Sequence, residues 1–287
     1  VTFVLLLVYA AVFVWMILRF RFFKIQGIRR VYILLAFVLK LLAGAALSAL
    51  YSGHYDDRTT GDTYRFFDDA TVMYSSLFEE ETPETYLRLL FGIDEKTDPL
   101  AKKYYYTMTH MERPFGVGFF NDNITIIKAN AFLMLFSGGY YPTHVLFWCF
   151  MSLIGLTALM RLLVVYFPRK KWAMFFAVYL LPTTVFWTSG VLKDGLLILG
   201  FGLFLRGFFH FIYGDFERRH FPGLLIGLAL LIFVKGYVLF CMAPPLIGLL
   251  LAKLTHGRRF WLVFSIPHAL ALLMVFFGGH LHPEFNV

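Results

Sequence analysis

The sequence predicts an all-α polytopic membrane protein with about eight transmembrane helices and interfacial helices in one large outer loop. Three observations predict it. The chain is 59% hydrophobic and only 15% charged, with a mean hydropathy of +0.70, too little charge to keep a folded domain of this length in solution. Runs such as 1–18, 31–50, 146–166 and 192–212 approach or reach the roughly 20 residues that cross a ~30 Å hydrocarbon core, and they lack the alternation of a barrel strand. The acids are segregated, with fourteen of the eighteen lying in residues 51–142.

Taken in order, the first span (1–18) runs into a loop carrying Arg19, Arg21, Lys24, Arg29 and Arg30 and no acid. Such a loop belongs in the cytoplasm, and it suits a retained helix better than a cleaved signal peptide. The second span (31–50) therefore exits, and residues 51–142 form the outer loop. The third (about 144–166) returns to Arg169-Lys170-Lys171, the fourth (about 172–189) exits and the fifth (about 191–212) returns to Arg218-Arg219. The sixth (about 222–238) exits, the seventh (about 241–254) returns to Lys253, Arg258 and Arg259, and the eighth (about 260–278) exits. Residues 1–50, 51–142 and 143–287 thus read as two N-terminal spans, an outer loop and a six-helix region. The opening Val and the abrupt end read as those of a fragment.

Within the outer loop, residues 124–136 are apolar but too short to span, and they read as a helix lying on the interface. Tyr64, Phe66, Phe67, Tyr74, Phe78, Tyr86 and Tyr104-Tyr105-Tyr106 suit helices at headgroup level. Pro182 and the pair Pro244-Pro245 are expected to kink the fourth and seventh spans. Cys149 and Cys241 read as buried small apolar residues with no disulfide framework. The net charge of +8 resides mostly in short loops, so it marks topology and no nucleic-acid partner.

Four places bring charge to the outer face. Residues 54–70 hold Asp56, Asp57, Asp62, Asp68 and Asp69, with Tyr64 and Arg65 beside them. A carboxylate at a lipid interface is desolvated enough to act as a general base; the alternative is a solvated loop and a helix cap. Lys193-Asp194 opens the fifth span, where Asp complements the helix dipole but Lys does not. Lys235 lies near the outer end of the sixth span, as a functional cation or a snorkelling anchor. Arg113 sits with His110 and Glu112. Together, cations would hold a phosphate and a carboxylate would activate an acceptor, making an interfacial site for an anionic, lipid-linked substrate. The paired acids also permit Mg²⁺ or Mn²⁺. His280 and His282, and the Asn123-Ile124-Thr125 sequon, read as incidental.

The stretches "GDTYRFFDDA", "NITIIKANAFLMLFSGGYYPTHVLFWCFMSLIGLTALMRLL" and "LPTTVFWTSGVLKDGLLILGFGLFL" carry a resemblance over roughly residues 50–255. The chain resembles bacterial integral-membrane glycosyltransferases of the GT-C type, the group of the protein mannosyltransferase and lipid A aminoarabinose transferase relatives. It looks closest to Bacteroidetes-like members with a Pro…Trp-x-Ser-Gly-x-x-Lys-Asp/Glu stretch. The resemblance implies a polyprenyl-phosphate sugar donor in the inner membrane, a periplasmic active site and a lipid, glycan or protein acceptor. It makes Asp62 the catalytic base, with Asp57, Asp68 and Asp69 in reserve, and Lys193 and Lys235 the phosphate contacts. The chain departs from it in a helix preceding the loop-bearing helix and in fewer spans. The rival functions are a polysaccharide polymerase or ligase, a transporter, and a non-catalytic envelope-assembly subunit. Transport fits poorly with spans whose midplanes are mostly apolar.

Overall fold

The computed structural model describes residues 2–54, 61–79, 83–92, 103–104, 107–109, 122–214 and 220–281. Its helices are α1 (Thr2–Arg19), α2 (Arg30–His54), α3 (Asp62–Glu79), α4 (Glu84–Phe91), α5 (Asp122–Ser137), α6 (Tyr141–Tyr166), α7 (Lys171–Tyr179), α8 (Pro182–Trp187), α9 (Lys193–Tyr213), α10 (Phe221–Leu254) and α11 (Phe260–Leu281). No strand occurs among the described residues. Six of these helices (α1, α2, α6, α9, α10 and α11) are long and apolar enough to cross a membrane. The all-α membrane class therefore holds, and the count of long apolar helices is lower than the expected eight.

Two breaks account for the difference. The predicted fourth span is split into α7 and α8, because Leu181 is extended (φ −63, ψ 120) ahead of Pro182, as a residue preceding proline prefers to be. The predicted sixth and seventh spans form the 34-residue α10, interrupted at Lys235 (φ −150, ψ 77). A straight helix of that length would reach about 51 Å, yet both ends of α10 meet the end of α9. The His220 and His210 rings stack at 3.9 Å, and the Lys253 ammonium lies 5.9 Å over the Tyr213 ring. Helix α10 therefore doubles back at Lys235. The one non-helical residue within α10 is Lys235, which turns where its side chain meets Asp194 and is followed by the unhindered Gly236.

Helix α6 is the axis of the bundle, with most of its residues buried. It runs parallel to α9: Trp148 Nε1 donates to Leu192 O at 2.9 Å near one end, and Tyr166 meets Phe209 near the other. Between these points the backbones touch. A Cβ added to Gly202 would lie 1.9 Å from Gly155 O, and one on Gly155 2.2 Å from Ile198 O. The opposite side of α9 meets α10 the same way, through Gly200 and Gly227. Small residues are the expected device where lipid supplies no hydrophobic drive between helices.

The basic loops gather at one end of the bundle. Arg161 of α6 donates to Arg21 O and Phe22 O (2.9 and 2.8 Å), and the Phe22 ring takes Arg161 and Arg206 at 5.8 and 5.7 Å. Arg30 donates to Leu18 O and Phe20 O, carbonyls at the end of α1.

The opposite end carries α3, α4 and α5. Helix α5 covers the predicted interfacial segment and lies across this end. Thr125 in its first turn donates to Phe233 O beside the α10 bend (2.9 Å), and Phe136 O in its last turn accepts from Tyr9 of α1 (3.0 Å). A buried relay fastens it to α6. Gly139 N–H donates to Ser137 Oγ, which lies 2.7 Å from His144 Nε2, while His144 Nδ1 lies 2.8 Å from Asn130 Oδ1. Asn130 Nδ2 donates to Ile126 O, so the arrangement that satisfies every group has a neutral His144 protonated on Nδ1.

Of the two cysteines, Cys149 is buried as expected, but Cys241 is exposed on the outside of the bundle. The correction has a simple cause: lipid, unlike water, makes an outward-facing apolar side chain inexpensive.

Candidate functional site

Asp62 begins α3 and is exposed, where its charge complements the helix dipole. Phe66, one turn on and on the same face, is buried under the Lys193 ammonium at 5.4 Å. Asp69, a further turn on, is also buried and accepts from Thr109 N (2.8 Å) and Thr109 Oγ1 (3.2 Å). Asp68 is half-buried. The Tyr64 hydroxyl donates to Ser48 O at 3.0 Å, tying α3 to the end of α2. Arg65 is half-buried, with an Nε that makes no hydrogen bond.

On α9 and α10 two predicted residues meet. Lys235 Nζ donates to Asp194 Oδ1 at 3.0 Å. The pair is partly exposed, so it contributes little to stability; its clear effect is positional, holding the α10 bend against the first turn of α9. Lys193, Asp194 and Lys235 thus come together, and Lys193 reaches α3. Asp57 and Arg113, with Asp56, His110, Glu112 and His282, lie outside the described residues.

No group of three or more potential metal-ligating side chains forms among the described residues. Asp68 and Asp69, as successive helical residues, point about 100° apart, and Asp69 Oδ1 is engaged by Thr109. The acid pair does not fit a shared metal.

The residue that sequence reasoning missed is Lys40. It lies in the middle of α2 and is fully buried. Its ammonium donates to Thr188 O (3.1 Å), Thr188 Oγ1 (2.5 Å) and Ser189 Oγ (3.2 Å). Both hydroxyls donate onward, Thr188 to Thr184 O at 2.6 Å and Ser189 to Val185 O. Nζ therefore faces three acceptors, matching the three N–H groups of an ammonium. Around it, Ser152 Oγ donates to Thr188 O (2.8 Å) and the Cys149 thiol faces Ser189 O (3.2 Å). The contact exists because α2 carries no side chain one turn along: a Cβ on Gly44 would sit 2.6 Å from Ser189 O. The available signal was a lone lysine inside an apolar run with glycine at i+4, a spacing that puts both on one face.

Next to this cluster lies a groove of about 580 Å³, lined by Thr183, Thr184, Trp187 and Thr188 of α8, by Asp194, Leu197, Ile198 and Phe201 of α9, and by Val238 of α10. Thr188 belongs to both: its hydroxyl holds Lys40, and the residue lines the groove.

Compared with protein-family models, curated proteins and solved structures, the chain matches none.

Proposed function

We propose that the protein is an integral-membrane glycosyltransferase that moves a sugar from a polyprenyl-phosphate carrier to a lipid, glycan or protein acceptor. In this reading the α3 end faces the periplasm from the inner membrane, and Asp62 is the general base. One observation carries the reading: the acid-bearing helix α3 meets the cationic opening of α9, with Lys193 over Phe66 one turn from Asp62. Lys193 and Lys235 would hold the carrier phosphate and stabilise the charge that develops as the glycosidic bond breaks, while Asp62 takes the acceptor proton. Acceptor oxygen and anomeric carbon form the new bond, and the carrier leaves as a phosphate.

The test is carrier release from a polyprenyl-phosphate sugar by purified protein in lipid nanodiscs. Wild type is expected to release it and Asp62→Asn to lose at least ~100-fold in rate, the usual contribution of a general base. A folded Asp62→Asn protein with full activity removes Asp62 from the role, and an inert wild type removes the reaction class.

A second reading, transport, draws support from a feature absent from the sequence argument. A buried cation in the middle of α2 beside the broken α7–α8 segment is the kind of site transporters build from discontinuous helices. Uptake of an anionic solute into proteoliposomes, lost in Lys40→Met, would favour it.

A further inference from the structure

We propose that the groove between α8, α9 and α10 binds a lipid bearing an anionic headgroup, and that Lys40, from behind the Thr188 wall, makes the groove anion-selective. The choice of an isoprenoid tail rests on the lipid-carrier reading above; the charge argument does not.

Along α9 the lining runs from Asp194 to Phe201, two turns and about 10 Å further on. Its walls are apolar except for three threonines and that one carboxylate. Trp187 stands on its rim and is half exposed on the outside of the bundle. The volume suits a headgroup with the first units of a chain, the remainder lying in the bilayer.

The charge comes from two observations. Asp194, the sole acid on the lining, is engaged by Lys235 at 3.0 Å, so the rim carries a balanced pair. The hydrogen-bond acceptors of Lys40 are one carbonyl and two hydroxyls, all neutral. A buried cation without a counter-charge is costly, and Thr188, whose hydroxyl meets Lys40 Nζ at 2.5 Å, is also a lining residue of the groove. At a separation of roughly 7–10 Å and an effective dielectric constant near 20, a unit charge changes affinity roughly 10- to 50-fold. Lys40 is thus a positioning and selectivity residue that never touches the ligand.

The experiment measures binding of farnesyl monophosphate, farnesol and inorganic phosphate to the protein in neutral phosphatidylcholine nanodiscs. Wild type is expected to prefer farnesyl monophosphate over farnesol by roughly tenfold or more. Lys40→Met should lower that preference roughly tenfold or more while leaving farnesol binding unchanged. Lys40→Gln, which keeps hydrogen bonding to the same hydroxyls without the charge, should do likewise and tests the same field if Lys40→Met fails to fold. Equal binding of both isoprenoids by wild type overturns the proposal. A preference intact in folded Lys40→Met or Lys40→Gln does so too. Displacement of farnesyl monophosphate by millimolar inorganic phosphate alone would assign the site to a free anion and overturn its lipid part. A Lys40-dependent preference without carrier release would sink glycosyl transfer and leave this site standing. Carrier release with no preference would do the reverse.

Discussion

Gly44→Ala is the most informative small change in this protein, because one methyl group acts on the whole Lys40 cluster. The added Cβ would lie 2.6 Å from Ser189 O and 2.7 Å from Val145 Cγ1. Ordinary contact requires about 3.4 Å, so α2 must retreat by several tenths of an ångström, and the backbone oxygen it meets cannot rotate aside. A shift of that size takes the Lys40 bonds at 3.1 and 3.2 Å beyond useful hydrogen-bond length. Overpacking costs about 1–3 kcal/mol and the two weakened charge-assisted bonds about 1.5 kcal/mol together. Against these, Ala in a helix gains up to about 1 kcal/mol over Gly. The expected net loss is about 3 kcal/mol, read as a fall of roughly 6–10 °C in apparent Tm in mild detergent. In a Lys40→Met background the same Ala substitution should cost about 1.5 kcal/mol less, because the bonds it strains are already gone. A Gly44→Ala protein within 0.5 kcal/mol of wild type, or purely additive behaviour with Lys40→Met, would refute the coupling between this helix contact and the buried ammonium.

Three further outcomes are expected. Gly202→Leu should part α6 from α9, costing more than about 3 kcal/mol, with loss of the monodisperse peak on size-exclusion chromatography; Ala at the exposed Gly53, where a Cβ meets nothing within 4 Å, should be silent. His144→Phe removes the centre of the Ser137–His144–Asn130 relay and leaves two buried polar groups unpaired, a loss of about 2–4 kcal/mol measurable as faster proteolysis at the α5–α6 junction. Tyr86 donates to Ala131 O at 2.9 Å, and burial, aided by Tyr74, pushes its phenol up to about 12. The folded state thus retains the proton longer than the unfolded chain, so the Tyr86 contribution to stability is constant below pH 10 and declines between pH 10 and about 12. Tyr86→Phe should cost about 1 kcal/mol at neutral pH and flatten that alkaline decline.

The class of this protein was legible in the sequence because burial in lipid imposes a length and a composition that no packing detail alters. Runs of about 20 apolar residues and basic connecting loops are written residue by residue, and the structure brings the loop after α1 against Arg161 and Arg206 of α6 and α9. The short apolar helix α5 was legible for the same reason: a run of that length stands apart from the longer ones. Lys193, Asp194 and Lys235 could be singled out because charge at the edge of an apolar run stands out locally. What brings Asp194 to Lys235 is the reversal of α10, and that depends on contacts made across 41 positions of chain.

Lys40 marks the limit most clearly. In sequence it is one lysine in an apolar helix, with partners 148 and 149 positions away. Those partners are presented by the turn that follows α8, whose position depends on the unwinding before Pro182 and on the absence of a side chain at Gly44. Composition decides that a segment enters the membrane, because transfer into lipid is nearly additive over residues. Which polar atoms meet inside it was decided only by the tertiary structure, because close contact between helix backbones is a property of the pair and is encoded in neither helix alone.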